Sequence, residues 1–280
     1  MKILTINTHS LQEANGAQKL DWFVDGILRE KPDVIAMQEV SQTMWADPIH
    51  PSMLAGQYPV PGAVTVRADN YAAEVALRLR RAGLEVSWAW LPVKIGYGRY
   101  DEGVAILSLG RTIRAIDTIP VSKVNDYQNW RTRKVLGVRL EGLEDWFYTV
   151  HMGWWDDAEE PFLHQWKVLN SCLASKRICG PVWLMGDFNA PDCADGESYD
   201  TIRNSGWQDT YLLAEHRDRG ITVPGIIDGW EDRVKDPAGM RLDYIWCSAS
   251  RQVATSRVIF NGENQNIISD HFGVLIETKE

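Results

Sequence analysis

The chain has 280 residues, 45% of them hydrophobic and 24% charged, with a formal net charge of −9. These proportions are those of a soluble globular enzyme, and a non-specific nucleic-acid binder would show a basic surplus instead. Cys172, Cys179, Cys193 and Cys247 form no C-x-x-C pair, and no apolar stretch approaches membrane-spanning length. A disulfide framework, a membrane partner and a leader are therefore not expected, and a cytoplasmic location is.

In chain order, residues 2–7 are rich in Ile, Leu and Thr and read as a central strand ending at Asn7. From 17 to 30, Leu20, Phe23, Val24, Ile27 and Leu28 fall on one helical face, and Lys31-Pro32 stops the helix. Residues 33–37 form a second buried strand with Gln38-Glu39 at its end. The stretch 41–69 has no period and holds Pro48, Pro51, Pro59 and Pro61, so a loop forming a rim over a pocket is expected there. A second helix covers 70–82, with Tyr71, Val75 and Leu79 as its stripe and Gly83 closing it. Strands follow at 86–90, 103–109, 134–140 and 146–151, the last ending at His151. A helix over 160–176, with Pro161 in its first turn, buries Phe162, Trp166, Leu169 and Leu173. A strand over 182–189 and short helical pieces within 198–216 come next. An irregular stretch over 217–240 leads to strands at 241–247, 253–260 and 272–277. Strands that pair consecutively and also alternate with helices predict an α/β fold. Two mainly antiparallel sheets pack face to face with helices outside, a four-layer α/β/β/α sandwich. No repeat or linker divides 1–280, so one domain is expected.

The chemistry concentrates around Trp183-Leu184-Met185-Gly186-Asp187-Phe188-Asn189. An apolar run reads as a strand stopping at Gly186, and the two-residue period sends Asp187 and Asn189 to one side while Phe188 turns into the core. Asn7, Glu39, His151, Asp243 and Asp270-His271 also fall at expected strand ends. Carboxylates with a carboxamide suit a hard cation such as Mg²⁺, whereas zinc would favour closely spaced His and Cys. A histidine beside a carboxylate is held as a cation or proton donor. Together these groups are what phosphate-ester hydrolysis needs. Each also has a plainer reading: Asp187 as a turn residue, Asn7 as a cap, Glu39 as a solvated strand end, His151 as a core histidine. Asp243, between Leu242 and Tyr244, resists that reading, because a buried carboxylate without a partner is costly.

Asn7, Gln38-Glu39, Glu102-Gly103-Val104-Ala105-Ile106-Leu107-Ser108, Val150-His151, Gly186-Asp187-Phe188-Asn189, Leu242-Asp243-Tyr244 and Ser269-Asp270-His271 occur in this order over nearly the whole chain. The set resembles the ordered signature of the endonuclease/exonuclease/phosphatase superfamily, whose fold is a four-layer α/β/β/α sandwich. The resemblance implies that Glu39 is the principal Mg²⁺ ligand, with Asn7 beside it, Asp270 close by, and Mn²⁺ able to substitute. It implies that Asp187 positions or deprotonates the attacking water and that Asn189 hydrogen-bonds the phosphate. His271 would contact phosphoryl oxygens with its ring oriented by Asp243, and His151 would be a phosphate contact or proton donor to the leaving group.

A narrower set is similar to a bacterial subgroup containing maltose 6′-phosphate phosphatases. It comprises Thr5-Ile6-Asn7-Thr8-His9-Ser10, Ile95 to Gly103, Arg131 to Leu136, Gly153-Trp154-Trp155 and Ile227-Asp228-Gly229-Trp230. That likeness implies a sugar-phosphate site built from Tyr97, Arg99, Glu102, Arg131, Arg133, Trp154, Trp155 and Trp230. Arginine forks suit a terminal phosphate, and flat aromatic faces suit a sugar ring or a nucleobase. The expected function is a Mg²⁺-dependent phosphomonoesterase on a small phosphorylated substrate. The alternatives are a phosphodiesterase, either a nuclease or a sphingomyelinase-like lipid hydrolase, and a non-catalytic scaffold. Basic residues are scattered and acids outnumber them 38 to 29, which disfavours nucleic acid, and no acid of the set is missing, which disfavours a scaffold. No protein partner is implied.

Overall fold

Alternation along the strands decides the layering. In β1 (Lys2–Asn7), Leu4 and Ile6 belong to one apolar cluster and Ile3 to another, as a two-residue period requires. Leu4 and Ile6 join Ile35 and Met37 of β2 (Val34–Thr43) and Trp88 and Trp90 of β3 (Val86–Gly96) beneath α1 (Gly16–Glu30) and α2 (Tyr71–Arg81). Ile3 and Ala36 instead meet Phe147 of β7 (Trp146–His151), Met185 of β8 (Val182–Asp187) and Ile245 of β11 (Asp243–Cys247), between the sheets. Under α3 (Phe162–Cys179), Phe162, Trp166, Leu169 and Leu173 pack on Tyr148, Leu184 and Trp246. Helix, sheet, sheet and helix is therefore the order of layers in the computed structural model, which describes residues 1–227, 230, 232 and 238–279. The expected four-layer sandwich is present.

The remaining strands are β4 (Tyr100–Leu109), β5 (Ile113–Pro120), β6 (Lys134–Leu140), β9 (Gln208–Asp209), β10 (Ala214–Arg217), β12 (Val253–Ile259) and β13 (Gly273–Thr278). One sheet runs β10-β12-β13-β1-β2-β4-β3 and the other β5-β6-β7-β8-β11-β9. Most pairs are antiparallel; β1–β2, β7–β8 and β10–β12 are parallel. Below the end of β1 the sheets are tied by polar groups rather than apolar ones. Buried Gln38 donates through Nε2 to Thr149 Oγ1 at 2.9 Å and to Thr5 Oγ1 at 3.2 Å, and Thr149 Oγ1 donates to Met37 O at 3.2 Å.

Several expectations need correction. The stretch 41–69 is neither structureless nor a pocket rim. Its start is the end of β2, a 3-10 turn covers Pro51–Leu54, and single bridges join Pro48 to Arg67 and Gln57 to Trp88. Its chain is thus held alongside β3. Strands β3 and β4 also run past the expected ends, leaving only residues 97–99 as their turn, because cross-strand pairing continues through the polar residues Lys94, Asp101 and Glu102. Strand β5 escaped the sequence reading because it is an edge strand whose Arg114, Asp117 and Thr118 interrupt the apolar pattern. Within 198–216, helices occupy only Ser198–Asn204 and Thr210–Leu213.

Candidate active site

Register across the second sheet brings His151, Asp187 and Asp243 side by side, since His151 pairs with Asp187 along β7–β8 and Asp187 with Asp243 along β8–β11. His151 Nε2 lies 3.7 Å from Asp187 Oδ2, and His271 Nε2 lies 3.8 Å from the same oxygen. The other ring nitrogen of His271, Nδ1, is hydrogen-bonded to Asp243 Oδ2 at 2.8 Å. From the first sheet, Asn7 Nδ2 donates to Glu39 Oε1 at 2.9 Å and to Asp187 Oδ2 at 3.3 Å. One carboxamide therefore bridges an acid from each sheet. Asn189 holds Asp187 from behind, its backbone N–H donating to Asp187 Oδ1 at 2.8 Å.

Glu39 reaches this point through a break in pairing. The β2–β4 register slips between Met37 and Val40, and Glu39 itself has φ 53°. A left-handed non-glycine residue in a bulge is a local strain that re-aims a side chain. Hydroxyl groups pin it: Ser10 Oγ donates to Glu39 O at 2.6 Å and accepts from Ser41 N–H at 3.1 Å, while Thr8 Oγ1 donates to Gln38 O at 2.9 Å. His9 and Asn189, with φ 46° and 47°, are left-handed as well.

The electrostatics separate the two histidines. Burial opposes charge on His271, but Asp243 and Asp187 outweigh it and raise its pKa to about 10. Burial, then the Arg133 and Lys94 cations, drive His151 well below the usual histidine range. At neutral pH one ring is a cation and the other neutral. Burial pushes the Asp187 carboxyl up, with His271 opposing and Asp243 adding to the push. Glu39 is raised by burial and by the negative fields of Glu102 and Asp270, against His9 and Asn7. His9, against burial, is lifted to about 9 by its hydrogen bond to Glu13 and by Asp270.

This crowding is the test of whether a cation fits. Glu39 and Asp270 repel one another, and the buried Asp243 Oδ1 has no hydrogen-bond partner among the described residues. His9, Glu13 and Asp270 present ligand atoms within 4.8 Å of one another, and so do Asp187, Asp243 and His271. Oxygen donors under mutual repulsion are what a hard divalent ion relieves. The residues fit such a group.

A half-open cavity of about 210 Å³ lies over the cluster. Its lining combines the acids Glu39, Asp187 and Asp270 with Asn189 and His271, the cations Lys94 and Arg133 with His151, and the apolar or aromatic Tyr97, Trp130, Trp154 and Ile227. His9 lines it too, and sequence reasoning had given it no role although it stands two residues past Asn7. Trp130 was also missed: 44% exposed, it meets Trp154 with ring centroids 5.7 Å apart.

Other expected substrate residues lie elsewhere. Trp230 offers no open face, being 3% exposed with its indole N–H donating to Asn189 Oδ1 at 2.9 Å. Trp155 packs against Phe162 in the core under α3. Arg131 is taken up by Asp157 at 2.9 Å and Glu159 at 3.3 Å, and it covers the Trp130 ring. Arg99 is exposed over Tyr100, outside the cavity. Glu102 sits behind the wall, paired with Lys94 at 3.1 Å. Asp228 and Gly229 lie outside the described residues.

A profile of the Endonuclease/Exonuclease/phosphatase family matches residues 4–271. The chain belongs to that family. Its members hydrolyse phosphoric esters, typically with a divalent metal, and this chain is a phosphoric-ester hydrolase by that membership. An endonuclease/exonuclease/phosphatase family protein from Leptotrichia buccalis is similar at 32% identity, with all of both chains covered and a TM-score of 0.86. A mannosyl-6-phosphatase from Bacteroides thetaiotaomicron shares the fold at 16% identity, with all of both chains covered and a TM-score of 0.68. A 3'-5' exonuclease from Neisseria meningitidis does so at 20% identity, again over all of both chains, with a TM-score of 0.62. No curated protein matches the chain. Among the described residues, no helix is long and apolar enough to cross a membrane.

Proposed function

We propose that the protein is a Mg²⁺-dependent phosphomonoesterase acting on a sugar phosphate or similar small phosphorylated metabolite, with Mn²⁺ able to substitute. The observation that carries this reading is the cavity itself. At about 210 Å³ it is smaller than pockets for drug-sized ligands, about 300–1,000 Å³, and Tyr97, Trp130 and Trp154 put aromatic rings in its lining. A phosphoryl group with a ring behind it suits that space better than a continuous polynucleotide. The likeness to the mannosyl-6-phosphatase is consistent with a sugar ring against these aromatic faces.

In this reading Asp187, its carboxyl raised by burial, positions the attacking water and accepts its proton. Cationic His271, oriented by Asp243, donates to a phosphoryl oxygen where charge develops. His151, neutral in the resting site, hydrogen-bonds the ester oxygen that departs. Asn7 holds Glu39 and Asp187 at a fixed separation, and Asn189 fixes Asp187. Mg²⁺ on Glu39 and Asp270, beside Asn7, would supply Lewis-acid charge to the phosphoryl oxygens.

A second reading, phosphodiester cleavage of single-stranded nucleic acid, draws on the exposed faces of Trp130 and Tyr97, which would stack a base as readily as a sugar. One assay separates them. Phosphate release from a panel of sugar phosphates is measured beside cleavage of single- and double-stranded DNA, each with Mg²⁺, with Mn²⁺ and with excess EDTA. Phosphate release that EDTA abolishes and either metal restores is the expected result. DNA cutting without phosphate release would reverse the assignment, and full activity in EDTA would remove the metal from it.

A further inference from the structure

Two cations, Lys94 and Arg133, line the cavity together with its acids. A register slip between Pro92 and Lys94 on β3 places Lys94 opposite Glu102 of β4, and their side chains pair at 3.1 Å. Arg133, the residue before β6, is also buried at 7% exposure, yet no carboxylate among the described residues lies within ion-pair distance of it. Among the described residues its Nη1 donates only to backbone, to Trp130 O at 2.9 Å and Thr132 O at 3.2 Å, and its buried Nε has no acceptor. Buried Arg133 and half-buried Lys94 thus stand beside His151 and the cavity, with Lys94 alone in ion-pair contact with a carboxylate while Arg133 feels Glu102, Asp187 and Glu39 only at longer range. A buried guanidinium that no anion touches directly is costly, so a contacting counter-charge is expected from a ligand.

The loop carrying Arg133 is built to hold it still. Ser122 Oγ accepts from Arg133 N–H at 2.9 Å, and Thr132 Oγ1 donates to Asp126 O at 2.5 Å. Glu160 accepts the backbone N–H groups of Lys123 and Val124, both at 2.8 Å. A fixed fork loses little freedom when it meets an anion.

We propose that Lys94 and Arg133 form a charge-reading subsite for the second negative charge of a terminal phosphate, selecting monoesters over diesters. The inference rests on the phosphomonoesterase reading and names what enforces it. A phosphate monoester carries about −1.5 to −2 at pH 7, since its second pKa is near 6, whereas a diester lacks that second charge. Burial and the Arg133 charge lower the Lys94 pKa against Glu102 and Glu39, and burial lowers that of Arg133 against Glu102, Asp187 and Glu39; a dianion in contact would add to the side that keeps both charged. Glu102 then acts as a positioning residue, holding Lys94 at the wall rather than touching substrate.

The test compares kcat/KM for p-nitrophenyl phosphate and bis-p-nitrophenyl phosphate, with Mg²⁺, in the wild type, Arg133→Met and Lys94→Met. Each variant should lose about 100-fold on the monoester, the range of a lost charge-assisted contact, and only a few-fold on the diester. Inhibition by inorganic phosphate should weaken in parallel, while inhibition by dimethyl phosphate should not. Equal losses on both esters, or an unchanged ratio, overturn the subsite. If the Met variants do not fold, Arg133→Lys and Lys94→Arg must retain the monoester preference, and its loss there counts equally against it. A wild type that prefers the diester removes the phosphomonoesterase reading and the subsite together. A wild type that prefers the monoester, with the ratio untouched in the variants, removes only the subsite. Should neither ester be cleaved, phosphate binding measured by calorimetry decides: binding unaffected by Arg133→Met overturns the proposal.

Discussion

Side chains from both sheets converge on Asp187. Asn7 from β1, His151 from β7 and His271 from the turn before β13 all reach its carboxylate within 3.8 Å. In the proposed mechanism Asp187 takes the proton of the attacking water and His271 acts as a cation, so both act on the transition state rather than on packing. Asp187→Asn and His271→Ala should therefore each lower kcat by about 10³-fold or more while the circular dichroism spectrum stays native. Near-normal turnover in either purified variant would sink the assignment. The same convergence explains why Trp230, expected to face a sugar, serves indirectly: its indole fixes Asn189, which fixes Asp187.

Strands deliver these groups only because their backbones approach closely. Gly186, one residue before Asp187, has φ 149°, and a Cβ there would lie 1.9 Å from Val150 O on the neighbouring strand. Gly186→Ala should cost about 3 kcal/mol through overpacking and backbone strain. A clear fall in Tm should accompany it, with activity lost through displacement of Asp187. An unshifted Tm would show that β7 and β8 separate more easily than their contact suggests. The bulge at Glu39 is the counterpart on the other sheet, where Ser10 and Thr8 hydroxyl groups stabilise a left-handed turn that no side-chain pattern announces.

Across the chain, Glu30 at the end of α1 joins distant segments. It pairs with Arg257 of β12, and Gln265 Nε2 donates to it at 2.8 Å. Burial raises its pKa, but Arg257 and Gln265 more than compensate and hold it below the usual range. A depressed carboxylate contributes stability above its unfolded pKa, near 4.3, and loses it as pH falls through the folded value. Glu30→Gln should lower Tm by about 2–4 °C at pH 7, for a loss of about 1 kcal/mol. The gap should close as the pH drops below about 4. A constant gap from pH 7 to 3 would mean that the pair contributes no charge-dependent stability.

Periodicity along the chain was enough for the layers. Leu20, Phe23 and Ile27, Phe162 and Trp166, and the alternation of Trp183, Met185 and Asp187 each encode which face is buried, because burying apolar area is the main favourable term in folding. The acids and histidines at strand ends were legible for a related reason: a polar residue closing an apolar run has to sit at a rim. Pairing register and bulges were not legible, since they depend on which strands become neighbours. That is why Lys94, Trp130 and His9 entered the cavity unannounced, while Arg99, Arg131 and Trp155 stayed out of it. Composition can count charges; only the folded chain determines which of them are left without a partner.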